Sequence, residues 1–313
     1  MRMNSNIFYS APLPWRRRHP VLFWLGIIIL AWLIFSVGRG IYLAAQPGGP
    51  LSGPYFGVVN IEGTIMDSAP TLAWIETLEK DDNAVGILVR IESPGGAVTP
   101  SEEIYTALAR LAEKRPMVAS MGALAASGGY MVALPAKAIV ANPTTLTGSI
   151  GVRMELPNMR ELMGKIGVSH ESLATGDLKA AGSPWAEFTD KERIYFMGII
   201  QDMFERFVGL VEKHRNLDAK ALETLRDGRA VTGRQALELG LADTLGDKTK
   251  ALMVLKELCR EKEDLPLLEG PEQEEYSLLR LILGQAGLGE TAKLLDRLAA
   301  EANEPAAVKF YYY

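Results

Sequence analysis

From Val21 to Gly38 the chain runs VLFWLGIIILAWLIFSVG, 18 residues without a charged side chain, and beyond Arg39 the apolar character resumes through Ile41, Tyr42, Leu43 and Ala44. About 20 apolar residues in a helix cross the hydrocarbon core of a bilayer, so this run predicts a transmembrane helix over 21–45. A cleaved leader has a shorter apolar core, about 7 to 15 residues, closed by a small-x-small site. Leu43-Ala44-Ala45 fits such a site poorly, and the reading is an uncleaved anchor. Arg16, Arg17, Arg18 and His19 precede the span and only Arg39 follows it. The positive-inside rule then holds residues 1–20 in the cytoplasm and places everything after about 45 on the outer side of an inner or cell membrane. Gln46 to Pro54 is too rich in Pro and Gly for a regular element and reads as a linker.

Charge is spread unevenly. The chain has 33 Lys plus Arg and 38 Asp plus Glu, but residues 1–40 hold five Arg and no carboxylate. The rest therefore carries 28 basic and 38 acidic groups, a net of −10. A nucleic-acid partner is excluded on that balance, because neutralising phosphates needs a basic surface. Cys259 is the single cysteine, so no intrachain disulfide forms, and it reads as a small helix-packing residue.

After the linker, short β-branched runs alternate with helical periodicity, which predicts an α/β domain with helices packed on a sheet. Strands are expected at Tyr55–Ile61, Val85–Ile91, Met117–Ser120, Ala138–Ala141 and Ser169–Leu173. Helices are expected at Thr71–Lys80, Ser101–Lys114, Gly129–Leu134, Asn158–Ile166, Asp190–His214, Thr232–Leu239 and Lys248–Leu258. The domain is bounded at 55–258. A C-terminal segment, 259–313, turns Glu-rich after Pro266, holds an apolar helical stretch from Tyr276 to Leu298 and ends in Phe310-Tyr-Tyr-Tyr313.

Three glycine-bearing turns each follow an apolar strand: Ser93-Pro-Gly-Gly96, Ala126-Ser-Gly-Gly129 and Thr147-Gly-Ser-Ile-Gly151. Paired glycines leave backbone N–H groups unobstructed. A nucleophilic serine needs such donors for its oxyanion and a base within reach. Ser127 offers a hydroxyl at a helix start, with the amide of Gly128 beside it and Gly95 or Gly96 as a second donor. Taken alone, Ser-Gly-Gly is a weak signal, and the residues by themselves favour an N-cap serine before tightly packed glycines. Among bases, His19 falls on the cytoplasmic side, and His170 and His214 read as structural or surface residues. A lysine serves if burial favours its neutral amine. Lys179, in Thr175-Gly-Asp-Leu-Lys-Ala-Ala-Gly-Ser-Pro184, is followed by small apolar residues, although an ordinary surface lysine fits the same composition.

Taken in order, Ser93–Gly96, Gly122-Ala-Leu-Ala-Ala-Ser-Gly-Gly-Tyr130, Leu146-Thr-Gly-Ser-Ile-Gly-Val152, Lys179 before Ser183-Pro184, and Asp227-Gly-Arg-Ala-Val-Thr-Gly-Arg-Gln-Ala236 resemble the signal peptide peptidase A family over about residues 55–258. The resemblance implies Ser127 as nucleophile, Lys179 as general base and Ser149 as the serine that orients the lysine. It implies oxyanion donors at Gly128 and in the Gly95-Gly96 turn, and a structural role for Asp227–Ala236. Further implications are a Clp/crotonase-like fold of repeated ββα units, no metal or organic cofactor, and peptide substrates, chiefly cleaved signal peptides at the membrane. This chain resembles the short form of the family, which implies a ring-like homo-oligomer, an octamer in related proteins. Two rival classes are an acyl-CoA enzyme of the crotonase group and a catalytically inactive membrane scaffold. The first works through carboxylates, and the intact Ser127 and Lys179 speak against the second. The aromatic end, Lys309 to Tyr313, either packs on the domain or membrane interface or occupies the substrate groove.

Overall fold

The computed structural model describes residues 23–25, 27–32, 34–35, 53–271 and 310–312. In the N-terminal unit the described residues from Phe23 to Phe35 are helical, and Trp24, Ile28, Leu30, Trp32 and Phe35 stand exposed. Among the described residues no helix is long and apolar enough to cross a membrane, and the remainder of the Val21–Gly38 run lies outside them. The apolar stretch Tyr276–Leu298 also lies outside them.

The second unit starts at Pro54. Strands β1 (Tyr55–Glu62), β2 (Ala84–Ser93), β4 (Met117–Ala126), β5 (Ala138–Ala141), β9 (Thr244–Leu245) and β10 (Leu267–Gly270) form a parallel path in the order β10-β1-β2-β4-β5-β9. Helix α1 (Ala69–Lys80) connects β1 to β2. Helix α2 (Val98–Ala112) follows the two-residue β3 (Gly96–Ala97) and returns to β4. A parallel sheet needs such crossovers and is covered on both faces, which is why its strands read as continuous apolar runs rather than alternating ones. Val59, Ile87, Val89 and Ile91 pack with Ile75 of α1 and Leu108 and Leu111 of α2. Phe56, Val58, Leu88, Val118 and Val140 face Ala251 and Leu255 of α8 (Lys248–Cys259) on the other side. Truncating a side chain such as Leu108, fully buried, costs about 2–5 kcal/mol.

The remaining elements are β6 (Leu146–Gly148), β7 (Arg153–Met154) and β8 (Ala230–Thr232), with α3 (Gly128–Met131), α4 (Arg160–Lys165), α5 (Asp190–His214), α6 (Ala219–Leu225) and α7 (Gly233–Glu238). Helix α5 has the bounds its sequence predicts, since Thr189 and Glu192 close a reciprocal capping box at its start. The segment Ser169–Leu173, expected as a strand, is irregular and exposed: no neighbouring strand pairs with it, and a lone extended segment has nowhere to place its backbone hydrogen bonds except water.

Strand β4 changes partners along its length. Val118–Met121 pair with β5, whereas Leu124–Ala126 pair with β6. On its other side Ile91 of β2 is opposite Met121 and Ser93 is opposite Ala125. One β2 residue, Glu92, therefore faces three β4 residues, Gly122, Ala123 and Leu124, in a bulge that bends β4 toward β6.

A small second sheet has the order β3-β11-β7, where β11 is Phe310–Tyr312. Tyr312 pairs with Gly96, Tyr311 with Ala97 and Arg153, and Phe310 with Met154, antiparallel on both sides.

Candidate active site

The bent end of β4 delivers Ser127 to a sharp turn into α3. Ser127 has φ 55° and ψ −119°, a conformation strained for any side-chain-bearing residue. Its amide donates to the Gly148 carbonyl at 2.8 Å, and its carbonyl accepts from the amides of Tyr130 and Met131, both at 2.9 Å. Those bonds hold the turn at both ends. The side chain does not cap α3: it is fully buried, and its Oγ has no hydrogen-bond partner among the described residues. Leaving a buried hydroxyl unpaired costs about 1–3 kcal/mol, and such groups concentrate where a reactant is meant to complete the set. The N-cap alternative left open by the sequence is thereby removed.

Around this hydroxyl the glycines are required by space. A Cβ on Gly128 would stand 2.4 Å from Ser101 Oγ and 3.3 Å from the Gly95 Cα, so the two predicted oxyanion turns lie against each other. A Cβ on Gly129 would meet the Ser93 carbonyl oxygen at 2.6 Å, and one on Gly96 the Ile65 carbonyl oxygen at 2.1 Å. Gly95 sits at φ +97° with its amide donating to Ser93 Oγ at 3.1 Å, and Ser93 Oγ donates onward to the Gly63 carbonyl at 2.6 Å. The Ser93 hydroxyl is thus a brace of this turn, and the Gly95 amide is already engaged.

Ser149 follows Gly148, the residue that receives the Ser127 amide. Both are left-handed, at φ 75° and 50°, and the Ser149 amide donates to the Arg229 carbonyl at 2.9 Å. Strand β8 pairs with β6 so that Ala230 stands opposite Gly148. The Asp227–Ala236 segment, read from sequence as structural, is the shelf under Ser149, with Asp227 clamping Arg229 in an ion pair that holds the Asp227 carboxyl below its usual range. Lys179 lies in a turn, its amide bonded to the Gly176 carbonyl at 3.0 Å, and its side chain is exposed. It makes no hydrogen bond to Ser127 within this chain, as the unpaired Oγ requires.

Neither histidine is hydrogen-bonded to Ser127 within this chain. His170 is exposed and tilted against Trp185. His214 Nε2 lies 2.8 Å from the Tyr105 hydroxyl, and burial pushes its pKa below 6.5. Among the described residues no cluster of His, Cys, Asp and Glu could hold a metal ion.

Sequence reasoning missed the side chains that hold the β4 bulge. The Glu92 carboxylate accepts from the amides of Ala123 at 3.0 Å and Leu124 at 3.1 Å, while Thr145 and Thr147 hydroxyls donate to the Gly122 and Ala125 carbonyls, both at 2.6 Å. No local signal marks Glu92, since β2 also carries Arg90 and ends in Ser93.

Residues 109–262 match peptidase family S49. A protein of Synechocystis is 41% identical over 228 residues, which cover 70% of this chain and 82% of that one. A protein of Methanocaldococcus jannaschii is 37% identical over 204 residues, 65% of this chain and 63% of its own. Both are named as candidate proteases. Protease 4 of Haemophilus influenzae is 30% identical over 259 residues, 78% of this chain and 42% of that protein. The chain thus spans less than two thirds of two of these three relatives, and the family match over 109–262 includes Ser127 and Lys179. By this extent of identity the chain belongs to peptidase family S49.

Proposed function

We propose that this chain is a serine peptidase in which Ser127 is the nucleophile and Lys179 the general base, acting on extended apolar peptides, chiefly signal peptides released at a membrane. The observation that carries the reading is the Ser127 hydroxyl, buried and unpaired on a strained turn between two glycine-bearing loops. A scaffold protein gains nothing from that arrangement, whereas an acyl-transfer site needs it.

In the mechanism, neutral Lys179 takes the Ser127 proton as Oγ bonds to the peptide carbonyl carbon. The carbonyl oxygen becomes an oxyanion, received by the Gly128 amide and by the Gly96 side of the Ser93–Gly96 turn, the Gly95 amide being occupied. Collapse breaks the C–N bond, and the lysine ammonium returns its proton to the leaving amine. Water, deprotonated by the same lysine, then adds to the acyl carbon, and as the C–Oγ bond breaks the lysine ammonium returns that proton to Ser127 Oγ. Substrate enters as a strand between β3 and β7, a mode in which backbone pairing supplies affinity and β11 marks the path.

Because Lys179 does not meet Ser127 within one chain, the base comes from a neighbouring copy in a ring-like homo-oligomer. Exposed apolar side chains lie on the segments before and after the Lys179 turn, among them Leu162, Ile166, Leu173, Trp185, Ile194 and Met197, and covering them favours an interface. Such an interface takes the lysine out of water, which favours the neutral form that accepts a proton. Ser149 orients that amine. The Val21–Gly38 run anchors the chain in the inner or cell membrane with the catalytic unit outside, and the fold is the Clp/crotonase type. Ser127→Ala and Lys179→Ala test the reading: each is expected to lower peptide turnover by at least about 10³-fold in a folded chain. Near-normal turnover in either variant would overturn the corresponding assignment.

A further inference from the structure

The β4 bulge places a charged group where the nucleophile strand is bent, and nothing in the mechanism above uses it. Up to Met121 the strand is a regular neighbour of β2 and β5; from Leu124 it runs with β6. On the β2 side Gly122, Ala123 and Leu124 face Glu92 alone, so the regular β2–β4 ladder is interrupted there. Side chains take its place. Thr145 and Thr147, both buried, take the Gly122 and Ala125 carbonyls, and the two Glu92 carboxylate oxygens take the Leu124 and Ala123 amides. Arg90, 3.6 Å from Glu92 and bonded to Ser120 Oγ at 3.1 Å, holds the carboxylate from the strand side. Gly122 makes room for it: a Cβ there would stand 1.7 Å from Glu92 Oε2.

Glu92 precedes Ser93, the brace of the oxyanion turn, and the amides it binds lie three and four residues before Ser127. We infer that Glu92 is a positioning residue for the peptidase reaction, its carboxylate acting as the missing strand partner that fixes the nucleophile elbow against the oxyanion turn. This inference rests on the reading of Ser127 as nucleophile. Charge-assisted bonds from a carboxylate to two peptide amides are short and directional, so the link sets a distance and does more than fill a gap. An amide in its place keeps the shape but offers one acceptor oxygen, and its NH2 group meets a peptide N–H.

The test uses the full chain, a fluorophosphonate probe and a peptide substrate. Glu92→Gln is expected to react with the probe about 10- to 100-fold more slowly, with kcat falling by a similar factor and KM little changed, because a displacement of about 1 Å costs that much in a positioned site. Gly122→Ala, which drives the carboxylate aside without removing it, is expected to reproduce the split. Circular dichroism and the thermal midpoint establish that the variants are folded. Parent-like probe and turnover rates in folded Glu92→Gln would overturn the inference, as would a loss confined to KM. Unfolding of both variants would also overturn it, making Glu92 a residue of the fold alone. Failure of the parent chain itself to label at Ser127 would instead count against the nucleophile assignment.

Discussion

The Ser127 amide donates to the Gly148 carbonyl at 2.8 Å, across two positions that both hold positive φ. The two turns are locked to one another, so Ser149, the next residue, is held close to the backbone of Ser127. The geometry demands glycine at particular places around this lock, and that demand is testable.

Gly96→Ala is expected to be more damaging than Gly128→Ala. The new methyl at 96 meets the Ile65 backbone, which cannot swing away, whereas at 128 its nearest obstacle is the Ser101 hydroxyl. Overpacking of this kind costs about 1–3 kcal/mol where the neighbour can yield. Gly128→Ala should remain folded with turnover reduced about 10²-fold, the usual loss for a disturbed oxyanion donor. Thermal melts and kcat of both variants check the order.

Under the proposed mechanism, Lys179, exposed in one chain, meets the unpaired Ser127 of another at a junction between copies. Co-expressed Ser127→Ala and Lys179→Ala chains, purified through two tags, should recover part of the parent activity, since some junctions join an intact serine to an intact lysine. Inactivity in demonstrably mixed assemblies would place both groups in one subunit.

Strand β11 lies between β3 and β7, where the substrate strand is proposed to lie. Deleting residues 306–313 should raise turnover of a short peptide, chiefly by lowering its apparent KM about 3- to 10-fold, as removal of a tethered competitor does. Tyr311→Pro, which removes a pairing amide, should act in the same direction. Unchanged kinetics in both variants would show that the segment does not compete.

His214 links α5 to Tyr105 of α2. Burial first, then Lys213 and Arg215, keep its pKa below the usual 6.5, so the folded chain prefers the neutral ring hydrogen-bonded with the Tyr105 hydroxyl. The unfolded chain then binds the proton first. Stability present above about pH 6.5 is lost as pH falls toward the folded value. Thermal midpoints between about pH 7 and pH 5 should decline in the parent and flatten in His214→Gln. Carboxylates such as Glu79, held low by Lys114 and Arg110, respond in a more acid window. An equal slope in both chains would contradict the assignment.

Much of this site was legible in the sequence because it is local. Three glycine turns after apolar strands announce themselves by composition, and the capping box of Thr189 and Glu192 sets the start of α5. Strands of two or three residues such as β6, β8 and β9 carry no periodicity, and they exist only because a neighbour is present to pair with them. Ser169–Leu173 is the converse case, since a plausible extended run without a partner does not become a strand. Glu92 was invisible for the same reason: its partners lie 31 and 32 residues away and depend on a bulge that only the assembled sheet creates.

The central claim is that Ser127 is the nucleophile, and the most direct measurement is mass spectrometry of the full chain after reaction with a fluorophosphonate, with peptide mapping of the adduct. The account predicts one adduct per chain in the active assembly, on Ser127, with loss of turnover in proportion to labelling and no adduct in Ser127→Ala. An adduct on another residue, or peptide turnover that survives complete modification of Ser127, would contradict it.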